Sequence, residues 1–158
     1  MGKLPAAIIN EKPLFESAAI SAAIADLVPE KNLIARPGTW LRTLHDQWVL
    51  FALTEMEAWC TCAEYNTLDF VLPKEEHVPE IVEQNKMMFQ RGAAALDSVL
   101  SETPYLIDAR FTVADIVVGY TVSFGEWHGW LDDFPHLVAY LDRLCEREHC
   151  TLARHMDK

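Results

Sequence analysis

A mostly α-helical domain is the fold class this sequence predicts, and three observations lead there. Apolar residues recur at steps of three and four along two long stretches, and only short pieces near the amino end read as strand. A helix start with every expected signal stands at Phe111-Thr112-Val113-Ala114-Asp115-Ile116. The 158 residues give room for one ordinary domain, and a hydrophobic content of 51% suffices for a continuous core.

Taken in order, Ala6 to Asn10 is an apolar run suited to a strand, Glu11-Lys12-Pro13 is a turn, and Leu14-Phe15-Glu16 is a second extended piece. Two such strands do not hold a sheet alone, so a further strand or a covering helix is expected. Ser17 is placed to cap an Ala/Ile-rich helix reaching about Val28, where Pro29 stops it. From Thr39 to about Tyr65, the residues Trp40, Leu44, Trp48, Phe51, Ala52, Met56, Trp59 and Ala63 mark one long amphipathic helix. Pro79 suits a first helical turn, and Ile81, Val82, Met88, Phe89, Ala93, Leu96 and Leu100 carry a second long helix antiparallel to the first. Shorter helices are expected from Thr112 to about Glu126, from Pro135 to about Arg147, and near Thr151 to His155.

Composition excludes several classes of partner. Thirteen Lys and Arg against 24 Asp and Glu leave a net charge of −11, and the basic residues are scattered, so nucleic acid and anionic membrane are not expected partners. The longest apolar runs fall short of the roughly 20 residues of a membrane span, and the first ten residues lack the features of a secretory signal, so the expected compartment is the cytoplasm. Cys60 and Cys62 lie two apart in a helical stretch and do not converge. Cys145 and His149 share a helix face beside Cys150, but no second pair at ligand spacing joins them, and no metal site is assigned.

In the Thr112-Val113-Ala114-Asp115 segment, threonine is placed as N-cap and aspartate as the third helical residue, so each side chain can accept from a backbone N–H near the other. Phe111 and Ile116 flank them as a hydrophobic staple. The residues that follow, Ile116 to Tyr120, are apolar around most of the circumference and predict a helix running through the core.

These features sit in a specific order. Tyr105 to Arg110 leads into the capping box and Asp132-Asp133-Phe134-Pro135-His136-Leu137 follows it, an arrangement that resembles the C-terminal domain of cytosolic glutathione transferases. The resemblance covers about residues 26–158. It extends backwards as well, because Gly2-Lys3-Leu4-Pro5, a strand, a turn and Glu16-Ser17-Ala18-Ala19-Ile20 look like the last part of that family's thioredoxin-like domain. The fold implied is a helical bundle of the family's C-terminal type over residues 26–158, with a β-hairpin remnant of the thioredoxin-like unit in residues 1–25.

The resemblance implies glutathione as ligand, bound at Leu4, Pro5, Glu16 and Ser17, with the proline cis. It also implies that the strand–helix–strand unit carrying the family's catalytic Tyr, Ser or Cys is missing, because Met1 stands directly before the Gly-Lys-Leu-Pro segment. No residue before Ser17 bears a hydroxyl, thiol or imidazole, and no catalytic residue is nominated. The expected function is therefore glutathione conjugation to small apolar electrophiles once an activating unit is supplied. The alternative is a non-catalytic assembly module of the same domain type. Either version leaves an open strand edge, so a homodimer or a complementing chain is expected.

Overall fold

The computed structural model describes residues 4–150 and Leu152. The element order is β1 (Ala6–Ile9), β2 (Lys12–Phe15), α1 (Ser17–Leu27), α2 (Trp40–Ala52), α3 (Ala58–Tyr65), α4 (Ile81–Leu100), α5 (Val113–Trp127) and α6 (Pro135–Cys145). The helix expected near Thr151 to His155 lies outside the described residues.

The two strands form an antiparallel hairpin with Ala6 opposite Phe15 and Ile9 opposite Lys12. Its turn falls earlier than expected. Asn10 and Glu11 both have positive φ, 49° and 64°, the geometry of a two-residue hairpin loop whose twist matches the strands. Lys12 and Pro13 therefore belong to β2, and the chain leaves the strand at Phe15.

Helix α1 starts one residue earlier than a serine cap would give. Its N-cap is Glu16, at φ 73° and ψ 116°, Ser17 is the first helical residue, and no side chain caps this end. The cap residue takes a conformation that L side chains rarely adopt, and it carries a β-carbon. Arg42 of α2 then ties α1 to the helical body, donating to both carboxylate oxygens of Asp26 at 3.0 and 2.9 Å and to the Ala35 carbonyl at 2.9 Å.

The long helix expected from Thr39 to Tyr65 is continuous but not uniform. Thr39 caps it, accepting from the Arg42 N–H, and a π-helical turn, Leu53–Glu57, separates α2 from α3. The extra residue in that turn changes which side chains meet the core. The buried stripe is His45, Val49, Ala52, Met56, Cys60 and Ala63. The aromatic stripe lies beside it: Trp40 is 71% exposed, while Trp48 and Trp59 pack only partly against the core.

Helix α4 begins at Ile81, with Pro79 in the turn before it. It packs on α3, on the π turn and on α6. Gly92 marks the closest approach, since a β-carbon there would stand 2.7 Å from Met56 Cγ and 2.9 Å from the Glu55 carbonyl oxygen. Asp97 of α4 caps α6 from a distance, its Oδ1 accepting from the His136 and Leu137 N–H groups at 2.9 and 3.0 Å. Phe134 and Pro135 open α6 but offer no side-chain cap of their own.

Helix α5 is the centre of the molecule. Its start has the capping box. Thr112 donates to Asp115 Oδ2 through its backbone N–H at 2.8 Å and its hydroxyl at 3.0 Å, and the Asp115 N–H donates to the Thr112 carbonyl at 3.0 Å. The Val113 N–H, left over by the box, donates to the Leu33 carbonyl at 2.8 Å. The helix ends at Trp127, and just past it Gly129, at φ 70°, lets the Trp130 N–H reach back to Gly125 and its own N–H to Glu126.

Candidate functional site

The hairpin, α1, α5 and the segment after α6 leave a groove of about 1290 Å³ between them. Leu4, Pro5, Glu16 and Ser17 all line it, so the four residues singled out in sequence lie on one wall. The Leu4–Pro5 peptide bond is cis. Because α1 has no side-chain cap, its first N–H groups are left without an intrahelical or capping partner beside Ser17.

The opposite wall comes from the start of α5 and the residue before it. Phe111 and Ile116, the expected staple pair, both line the groove, and Ile116 is 46% exposed. The Phe111 ring also meets Tyr105 edge-on at 6.0 Å and carries the Arg147 guanidinium 3.5 Å over its centroid. Tyr120, one turn after Ile116, is 48% exposed on the same side. The rest of α5 is buried, with Val113, Ala114, Val117, Val118 and Val122 in the core. One strip of an otherwise buried helix therefore faces open space.

Behind that wall Asp115 is fully buried. Its Oδ1 accepts from the Leu106 N–H at 3.1 Å and the Tyr140 hydroxyl at 2.9 Å, while Oδ2 takes the two donors of Thr112. Four donors match the carboxylate's lone-pair capacity. Burial still pushes the Asp115 carboxyl up, against the lowering effect of those donors. Tyr140 is pushed well up by burial and by the adjacent carboxylate. The cluster holds α5, α6 and the loop before α5 together.

The chemistry of the groove itself is set by Glu57, Tyr120 and Arg147, three residues that carried no sequence signal. Glu57, in the π turn, accepts from the Thr121 hydroxyl at 2.8 Å. Burial, then Glu57 and Glu64, push the Tyr120 phenol up. Burial and the same two glutamates push up the Cys60 thiol in the core behind. This side of the groove disfavours added negative charge, whereas the wall at Ser17 favours it. No group of three or more His, Cys, Asp or Glu side chains that could hold a metal occurs among the described residues.

Comparison with known proteins decides the family. The family described as "Glutathione S-transferase, C-terminal domain" matches residues 71–151, just over half of the chain. The chain belongs to this glutathione transferase family. A curated relative is elongation factor 1-gamma of Prunus avium, 27% identical over 148 residues, covering 89% of this chain and 33% of that protein. The chain thus spans about a third of the elongation-factor relatives it matches. The glutathione S-transferase GstA of Escherichia coli O157:H7 is 25% identical over 153 residues, covering 92% of this chain and 69% of GstA.

Solved structures agree in fold. BphK, a bacterial glutathione transferase solved as a ternary complex, superposes with a TM-score of 0.82 at 23% identity, over 93% of this chain and 70% of its own. A glutathione transferase from Phanerochaete chrysosporium, solved with oxidized glutathione, gives 0.80 at 24% identity over 93% and 69%. The transferase fold thus extends over nearly all of the chain. No helix among the described residues is long and apolar enough to cross a membrane.

Proposed function

We propose that this chain is the glutathione-holding and substrate-side part of a glutathione transferase. In this reading residues 1–25 form a partial glutathione site and residues 26–158 the helical domain. The observation that carries the reading is the junction of β2 and α1. Glu16 is held at φ 73° at an uncapped helix start that opens on the groove, with Ser17 as the first helical residue. Backbone held in a sparsely populated region, at a cost of about 1–3 kcal/mol, is most often retained where a ligand needs it. The free N–H groups of α1 suit a carboxylate, and the Glu16 carboxylate suits the ammonium group of the same ligand.

Conjugation joins the glutathione sulfur to an electrophilic carbon, expels that carbon's leaving group, and releases the thiol proton to an acceptor. A thiol of pKa about 8.5 needs a donor or positive charge beside the sulfur to ionise at neutral pH. Glu57 supplies the opposite field and Arg147 is stacked on Phe111, so activation is assigned to a group outside these residues. The chain binds glutathione and shapes the pocket, and it turns over only when that group is present.

Calorimetric titration tests the first half. Saturable heat with glutathione, weakened about tenfold by Ser17→Ala and further by Glu16→Gln, is the expected result. A flat trace for the unaltered chain would overturn the reading. Glu16→Gly should at the same time raise stability by about 1 kcal/mol, because glycine reaches positive φ freely.

A second reading, a non-catalytic assembly module, is favoured by the elongation factor 1-gamma similarity, which spans 89% of this chain. An aryl-halide conjugation assay separates the two. Turnover by the chain together with a transferase amino-terminal segment supports the enzyme reading, and silence despite measured glutathione binding supports the module.

A further inference from the structure

Charge is unevenly distributed along the groove. Small-molecule sites measure roughly 300–1,000 Å³, and this one, at about 1290 Å³, has room for a second reactant beside a tripeptide. Around Ser17 the uncapped N–H groups of α1 favour negative charge, as does Arg147 over the Phe111 ring just before α5. Tyr120 lies two turns further on, roughly 10 Å along the axis of α5 from Val113. There the lining changes character. Glu57 enters from the π turn, and its Oε2 accepts from the Thr121 hydroxyl at 2.8 Å, which brings the carboxylate to the turn of α5 that carries Tyr120. Among the described residues Glu57 has no ion-pair partner. The Tyr120 ring is itself steadied, tilted against Phe124 with the centroids 4.8 Å apart.

We infer that the electrophile this groove accepts carries a fixed positive charge, held between the Glu57 carboxylate and the face of Tyr120. A ring face attracts an organic cation, and a quaternary ammonium group is a cation that aromatic faces commonly recognise. A carboxylate tied at one oxygen to Thr121 is already placed, so less side-chain freedom is lost when the cation arrives. A neutral group in the same position gains only the contact with the ring. An anion meets the field of Glu57 and Glu64, the same field that, with burial, pushes the Tyr120 phenol up. The substrate class is thus narrower than the small apolar electrophile that the family resemblance implies. For the chemistry, the inference rests on the transferase reading: the glutathione sulfur bonds to an uncharged carbon of the electrophile, the leaving group departs with the bonding pair, and the thiol proton passes to an acceptor outside these residues. The ammonium group is carried through unchanged. Recognition of the cation requires only Glu57 and Tyr120.

The test titrates the full chain, without glutathione, against three benzyl probes of similar shape and different charge: benzyltrimethylammonium, the neutral benzyl methyl sulfone, and phenylmethanesulfonate. Line broadening in the proton spectrum of each probe gives its affinity. The cation should bind at least about fivefold more tightly than the sulfone, with the sulfonate weakest, and raised salt should narrow the gap. Glu57→Gln keeps the size of the side chain and an oxygen for Thr121, and it should bring the cation down to the level of the sulfone. Should that variant alter melting, Tyr120→Leu is the second: it removes the ring face at a half-exposed position and should lower the affinity for the cation at least about twofold. A cation that binds no better than the sulfone overturns the inference. A preference that survives both substitutions overturns it as well, because it then comes from the net charge of −11 and not from this pair. A flat glutathione titration with the cation preference intact sinks the proposed function alone, and saturable glutathione binding without that preference sinks the cation site alone.

Discussion

Asp115 is a residue on which several separate segments converge. Its carboxylate answers donors from Leu106, Thr112 and Tyr140, all buried, so removing it strands several at once. Each orphaned buried donor costs about 1–3 kcal/mol, and Asp115→Ala should therefore lose at least about 3 kcal/mol in urea denaturation, against about 1–2 for Tyr140→Phe. The Thr112 half of this cluster was legible in the sequence because it lies within four residues. Tyr140 and the Leu33 carbonyl were not, since only the fold brings them near. His45 makes a second residue-scale prediction. Burial lowers its pKa from 6.5, with Arg42 adding to the lowering and Asp46, Asp26 and Asp115 opposing it. A folded value below the unfolded one means that the unfolded chain takes up the proton more readily. Stability is then unaffected above pH 6.5 and falls as pH drops through 6.5 toward the folded value. Thermal melts between pH 7.5 and 5 should show that decline, and His45→Phe should flatten it.

At the scale of the element, what the sequence concealed was a change of pitch. Tryptophans 40, 48 and 59 read as one stripe on a regular helix, but the π turn at Leu53–Glu57 and the true burial of His45, Val49, Met56 and Cys60 put the core on the neighbouring strip. No residue type marks a π turn, so periodicity alone misses it. The turn has a visible counterpart in Gly92, where α4 comes against the Glu55 carbonyl. Gly92→Ala gains helix propensity and loses that fit, and the steric term should win, costing about 1–3 kcal/mol in denaturant unfolding. The start of α1 was misread for a different reason. Serine is a common cap, and nothing local announces that Glu16 will take positive φ and move Ser17 inside the helix. The hairpin, by contrast, was legible in kind, and only its turn was placed too late.

For the whole molecule, the fold class and the family were legible because the capping box, the Phe134-Pro135 start and the two long helices occur in a fixed order. The exposed strip of α5 was not, since its apolar residues look identical whether a neighbour covers them or solvent does. The amino-terminal hairpin and α1 are joined to the bundle by Arg42, whose bond to Asp26 holds that carboxyl below its usual value. Arg42→Met should raise hydrogen exchange across α1 while α4 to α6 stay protected, because the smaller unit then opens without global unfolding. The free edge of β1 carries a last consequence, one of supply. Unpaired apolar strand edges recruit one another, so copies of a chain whose Ile8 edge is exposed aggregate more readily as their concentration rises. The level a cell can tolerate is then set by its proteases and chaperones, for which surplus chain becomes a substrate.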